Sequence, residues 1–283
     1  MTDFVLRERR DATLVITLNR PQRRNAFDLE VRQGLADAIS EARDDDGVKA
    51  VIITGAQGVF CAGGDLKALS EGKRPIYKDR DRIRRLHIWF HELVNLEKPV
   101  IAAVDGPAFG AGFNLALACD FILGTPSARF CAVFARIGLV PGLGGFFLLP
   151  RIVGLQRAKE LVFTAREVGA KEARSLGILY DIVGPEALMD EALALAARFH
   201  GASTEALGMS KNILNRSFNL DQNTLAELES HAQALAIHTE YHDAAVARFL
   251  RTQPLKFSWP ASPADDKDGE ACRCTRTVPA PMT

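Results

Sequence analysis

Two apolar runs constrain this chain most: KAVIITG at 49–55 and PVIAAVDG at 99–106. Both are rich in β-branched and small apolar residues and both end at glycine, so each reads as a buried strand. Each is followed by a loop of small residues and then an apolar, helix-like stretch, FCAGGDLKAL at 60–69 and DGPAFGAGFNL at 105–115. A helix N-terminus carries unpaired N–H groups and partial positive charge, and glycine lets a ligand approach that backbone closely. Two such turns at the same ends of neighbouring strands could aim two N–H donors at one oxygen, the geometry of an oxyanion hole. The same order also occurs in α/β proteins with no such role. Neither turn spells G-x-G-x-x-G and no G-K-[ST] follows a strand, so a dinucleotide site or P-loop fits worse.

The remaining pattern extends this alternation. Residues 3–9 and TLVITL at 13–18 read as strands around a turn at Asp11-Ala12. Apolar positions Leu29, Val31, Leu35, Ala38 and Ile39 have helical spacing within 28–42. A charged, mobile-looking stretch at 71–85 precedes a helix to about Leu96. Strands are expected at 120–124 and 179–183, helices at about 155–165 and 170–176. Strands alternating with helices predict the α/β class. From Pro185 to about Phe249 only helices are expected, including one long segment over 221–251. The tail SWPASPADDKDGEACRCTRTVPAPMT has few large apolar residues and is expected to be disordered. The expected division is a core over 1–190, a helical region over 191–257 and a tail over 258–283.

Charge narrows the partners. Lys+Arg and Asp+Glu both number 35 in 283 residues, so no global field favours nucleic acid or a membrane surface, and any anion site must be local. Cys61, Cys119 and Cys131 lie in apolar surroundings, while Cys272 and Cys274 sit in the polar tail. With no apolar leader in MTDFVLRERRDA, a reduced, cytoplasmic protein is expected.

Four segments, NRPQRRNAF (19–27), FCAGGDLKAL (60–69), KPVIAAVDGPAFGAGFNLALACDF (98–121) and RIGLVPGLGG (136–145), together resemble the enoyl-CoA hydratase/isomerase family, the crotonases. The likeness in order and spacing covers about residues 3–257. It implies a spiral of ββα units with a C-terminal helical region that builds trimers, often paired into hexamers. It implies an acyl-CoA thioester as substrate, with no cofactor beyond the CoA moiety. The thioester oxygen would sit between the N–H groups of Gly64 and Ala111. CoA contacts would fall on Arg24, Ala26, Ala62, Asp65, Leu66 and Lys67, with Phe249 and Arg251 reaching from a neighbouring subunit. Lys67 could equally be a solvated helix lysine, and Phe249 and Arg251 an ordinary core residue and surface charge.

The acids depart from the family pattern. The two hydratase glutamates match Asn114 and Phe134, and a third acid used by some relatives matches Gly142. An amide takes no proton near neutral pH, so Asn114 is expected to orient rather than deprotonate, and Phe134 to make that wall dry. Asp65 is expected to cap the helix and fix its loop, and Asp105 to be structural. Glu71 and Tyr77 are minor acid–base candidates in the acyl-pocket region. His87 and His91 have a metal-pair spacing without an evident third ligand, and HTEYH at 238–242 is not a zinc motif. Cys61 has no evident base, and Arg136 is expected in a structural salt bridge. Two readings remain: an acyl-CoA lyase or isomerase with non-standard chemistry, or a non-catalytic acyl-CoA binder.

Overall fold

The computed structural model describes residues 3–66 and 75–259. Its main sheet contains β1 (Val5–Arg10), β2 (Thr13–Leu18), β3 (Ala50–Gly55), β4 (Val100–Val104), β6 (Phe121–Gly124) and β9 (Asp181–Ile182), in the order β1-β2-β3-β4-β6-β9. β1 and β2 form the antiparallel edge hairpin, and every later pairing is parallel. A second sheet joins β5 (Pro107–Phe109), β7 (Arg129–Cys131) and β8 (Val168–Gly169). The helices are α1 (Leu29–Asp44), α2 (Ile76–Val94), α3 (Ala111–Leu117), α4 (Gly145–Val153), α5 (Leu155–Thr164), α6 (Ala170–Ser175), α7 (Leu188–Arg198), α8 (Thr204–Arg216), α9 (Gln222–Ile237) and α10 (Glu240–Leu250).

Successive side chains of a strand point to opposite faces, and β2 to β4 bury both. Leu14, Ile16, Leu18, Val51, Ile53, Val100 and Ala102 enter one core with the apolar stripe of α1, Val31, Leu35, Ala38 and Ile39. Asp28 starts that helix by accepting a hydrogen bond from the Val31 N–H. Val15, Ile52, Ile101 and Ala103 enter a second core with Leu188, Ala192, Leu195 and Ala196 of α7. α7 thus spans the expected boundary at 190 and packs on the sheet.

Two other expectations change. α2 begins at Ile76, well inside the stretch expected to be mobile to residue 85. Most of its charges are exposed, with Asp79 and Arg82 among the half-buried ones, while Trp89, Phe90 and Leu93 are buried. The long 221–251 segment is two helices, because Thr239 accepts from the His242 N–H and starts a new one. The tail beyond residue 259, with Cys272 and Cys274, lies outside the described residues. Among the described residues no helix is long and apolar enough to cross a membrane.

Candidate active site

The parallel register of β3 on β4 pairs Val51 with Val100, so the chain leaves both strands at the same edge of the sheet. The two turns beyond are then laced together. The Cys61 N–H donates to the Pro107 carbonyl at 3.0 Å and the Phe109 N–H donates to the Cys61 carbonyl at 2.9 Å. This makes a short parallel bridge between Cys61 and Ala108. Glycine permits the approach: a Cβ on Gly112 would lie 2.3 Å from the Cys61 carbonyl oxygen. Gly63 has φ +95°, and a Cβ there would lie 2.7 Å from the Phe109 carbonyl oxygen and 3.3 Å from the Ala111 nitrogen.

Gly64 and Ala111 are thereby brought onto adjoining strands of main chain. On the far side, the Phe27 N–H donates to the Gly63 carbonyl at 2.7 Å and the Asp65 N–H to the Phe27 carbonyl at 3.0 Å. These bonds engage the residues flanking Gly64. Neither the Gly64 nor the Ala111 N–H has a protein acceptor among the described residues. Ala111 is the first residue of α3, where the N–H has no intrahelical partner by geometry.

Loop 19–27 is fixed to the first turn by buried polar groups. The Arg20 guanidinium meets Asp65 at 2.9 Å and Asp28 at 3.1 Å. Asn25 is fully buried; its side-chain nitrogen donates to the carbonyls of Ala56 and Val59, and its oxygen accepts from the Arg20 N–H. Arg24 is exposed in a left-handed conformation, φ 51°, and its carbonyl accepts from the Ala62 N–H at 3.0 Å. The structure therefore gathers Arg24, Ala26, Ala62 and Asp65 beside Gly64. Asp65 fixes the loop, as expected. Leu66 is exposed, Phe249 and Arg251 lie exposed at the end of α10, and Lys67 and Glu71 fall outside the described residues. Sequence reasoning missed the role of Arg20. Its only signal is a cation ahead of Pro21, in a segment that also carries Arg23 and Arg24, and it becomes informative only once Asp28 and Asp65 converge on it.

Asn114 is buried within α3, and its Nδ2 donates to the Gly142 carbonyl at 2.6 Å. The amide is packed so closely that a Cβ on Gly145 would lie 2.6 Å from it. It therefore clamps α3 to the loop before α4. Phe134 stands in a short 3-10 turn, Val133–Ile137, and a Cβ on Gly110 would lie 3.7 Å from its ring. That ring borders the turn that leads into the Ala111 N–H.

Other candidates resolve into scaffolding. Asp105 accepts from the hydroxyls of Thr125 and Ser127, both at 2.7 Å. The Cys61 thiol donates to the Asn25 carbonyl at 3.0 Å, and burial pushes its pKa up to about 12. A thiol so protonated is no nucleophile. Arg136 is structural, but among the described residues it makes no salt bridge: it donates from Nε and Nη2 to the Ala165 carbonyl at 3.1 and 2.7 Å. Tyr77 is exposed on α2. Among the described residues no group of three His, Cys, Asp or Glu side chains could hold a metal ion, so His87 and His91 acquire no third ligand.

With this geometry in place, the sequence matches the model of the enoyl-CoA hydratase/isomerase family over residues 8–260. The chain belongs to that family. It is 33% identical over 262 residues to 1,2-epoxyphenylacetyl-CoA isomerase of Escherichia coli K12, covering 91% of this chain and 99% of that one. It is 40% identical over 214 residues to carnitinyl-CoA dehydratase of the same strain, covering 75% of this chain and 80% of that one. The family's fold is equally plain in a crystal structure of an enoyl-CoA hydratase/isomerase from Cupriavidus metallidurans CH34. It aligns with a TM-score of 0.86 at 40% identity, over 93% of this chain and 99% of that one. Fold and family agree with the resemblance read from the four sequence segments.

Proposed function

We propose that this protein acts on an acyl-CoA thioester, holding the thioester carbonyl between the N–H groups of Gly64 and Ala111, with chemistry that departs from two-glutamate hydration. The observation that carries the reading is the pair of N–H groups, without a protein acceptor among the described residues, on two turns laced by the Cys61–Ala108 bridge. Such donors match the charge that develops on a thioester oxygen as an enolate or tetrahedral species forms, and losing one costs about 10²–10³ in rate. CoA would run past Arg24, Ala26, Ala62, Asp65, Leu66 and Lys67, with Phe249 and Arg251 of a neighbouring copy, and no other cofactor is needed. A trimer or a pair of trimers supplies that copy.

Asn114 and Phe134 stand where a hydratase of this family would carry its acids. The Asn114 amide is engaged by the Gly142 carbonyl, and Phe134 offers no proton. Absence of general acid–base groups costs roughly 10²–10⁴-fold. Hydration of crotonyl-CoA by purified protein is expected to run at least about 10²-fold below a two-glutamate relative. Full hydratase turnover, with Asn114→Ala no slower, would sink both the weakness and the role given to Asn114. For the oxyanion pair the sharper variant is Gly64→Pro, since proline removes the N–H itself. A folded, assembled Gly64→Pro protein that keeps its acyl-CoA activity would show that Gly64 is not a donor.

The engaged amide at Asn114 also favours a second reading, a protein that binds acyl-CoA without turning it over. Binding of a panel of acyl-CoAs with no product from any of them separates this from the first.

A further inference from the structure

A cavity of about 870 Å³ opens between α1 and α2, and its lining has a strong sign: six residues are Arg or Lys and one, Asp81, is acidic. Asp81 already pairs with Arg85 at 2.9 Å. Deeper in the lining, donors lack acceptors. Among the described residues no carboxylate lies within ion-pair distance of the half-buried Arg32 guanidinium. The Arg82 Nε is buried and makes no hydrogen bond among the described residues; its 3.5 Å approach to Asp79 is an ion pair without hydrogen-bond alignment. Trp89 is 6% exposed, and its indole N–H is buried without a partner among the described residues. Burial and the neighbouring Arg82 both pull the Arg32 pKa below its ordinary value, against a weaker opposite pull from Asp28. Native interiors rarely leave buried donors unpaired. Two such donors beside the half-buried Arg32 guanidinium, all lining one cavity, describe an anion site.

The position says which anion. Trp89 packs edge-on against Phe27, which is bridged to Gly64, and against Phe90, whose ring would meet a Cβ placed on Gly144. The cavity therefore lies one aromatic layer behind the candidate oxyanion hole. Leu29, Ala36 and Leu86 line it beside the guanidinia, which suits methylene groups ending in a charge better than a bare phosphate. Arg24, the exposed candidate for the CoA phosphates, does not line it.

Resting on the acyl-CoA reading above, we infer that Arg32, Arg82 and the Trp89 indole N–H bind a carboxylate at the far end of the acyl chain, so that the preferred ligand is a dicarboxylic acyl-CoA monothioester. A charge-assisted hydrogen bond of this kind is worth roughly tenfold or more in affinity.

The test compares calorimetric titrations of the full-length protein with butyryl-CoA, glutaryl-CoA and adipyl-CoA, and with free CoA. Adipyl- or glutaryl-CoA is expected to bind at least about tenfold tighter than butyryl-CoA. That ratio should fall toward one in Arg32→Gln and in Arg82→Gln, and fall partway in Trp89→Phe, which removes the N–H and keeps the ring. Removing an unpaired, partly buried cation should also raise the melting temperature of the unliganded Arg32→Gln protein, so the variant reports on its own fold. Equal affinity for butyryl- and the dicarboxylic thioesters would overturn the inference while leaving the acyl-CoA reading intact. An equal loss for butyryl-CoA and free CoA in the Arg variants would overturn it in favour of a CoA phosphate. No binding of any thioester would overturn the acyl-CoA reading and this inference with it.

Discussion

Gly112 has no room for a side chain because the Cys61 main chain passes through the space a Cβ would fill. Gly112→Ala must therefore push the two turns apart at the point where they are laced. Overpacking of this kind costs about 1–3 kcal/mol. Because the strain sits between Gly64 and Ala111, loss of acyl-CoA turnover or binding should exceed the loss of stability. Urea denaturation beside an activity assay checks this; a variant that is destabilised yet fully active would separate the lacing from the site. Cys61 gives a second residue-scale expectation. With its pKa pushed up to about 12 by burial, its thiol should resist alkylation at neutral pH in the native protein and react after denaturation. Peptide mapping after iodoacetamide treatment reads this directly, and prompt native labelling of Cys61 would contradict the burial.

Among the elements, α5 and α6 are joined through one guanidinium. Arg166 bonds to Glu160 of α5 at 2.5 Å and Glu172 of α6 at 2.7 Å. The Arg166 hydrogen bonds hold the Glu160 carboxyl down to about 2 from its ordinary 4.5. A carboxylate with a depressed folded pKa adds stability fully above its unfolded value and loses it as pH falls through the folded one. The stability gap between the wild type and Glu160→Gln should thus be complete above pH 4.5 and close toward pH 2. The groups are partly exposed, so the gap is expected at about 0–1 kcal/mol and smaller in high salt. Chemical denaturation across that range measures it. By contrast, Leu195→Ala removes a buried contact between α7 and the sheet and should cost about 2–5 kcal/mol at any of these pH values.

Legibility in the sequence also varies by element. Long β-branched runs announce β2, β3 and β4, because burial on both faces demands such a composition. β5, β7 and β8 have two or three residues each, too few to show a period, and they exist only because tertiary contacts hold them. α4 hides behind Gly144-Gly145 and carries Pro150 inside. The glycine turns are legible as a close approach of two main chains, because small residues between a buried strand and a helix leave room for it. The Arg32–Arg82–Trp89 cavity is not, since it arises where two helices some fifty residues apart meet across α1 and α2. Nothing in either helix alone distinguishes those arginines from a solvated face.

At the scale of the molecule, large apolar side chains remain uncovered in the single chain. Phe146 and Phe163 on α4 and α5, Phe218 beyond α8 and Leu250 of α10 are all more than half exposed. Surfaces of this kind mark association sites, in keeping with the proposed trimer or pair of trimers. Light scattering at micromolar concentration is expected to give the mass of three or six chains, and a monomer would refute the assembly. Truncation after residue 258 should leave the mass per assembly at the same number of chains, because the tail's composition cannot supply an interface core.

The lacing of Cys61 to Ala108 is made by main-chain groups alone. A grip built that way does not depend on which side chains surround it, so long as the neighbouring glycines stay. A substitution at position 134, outside this bridge, should therefore leave the lacing intact, whereas Asn114 is tied into the packing by its clamp on the Gly142 carbonyl. On the proposed acyl-CoA reading, the durable grip and the exchangeable wall are thus separate, which makes the scaffold a ready starting point for directed evolution of new thioester chemistry.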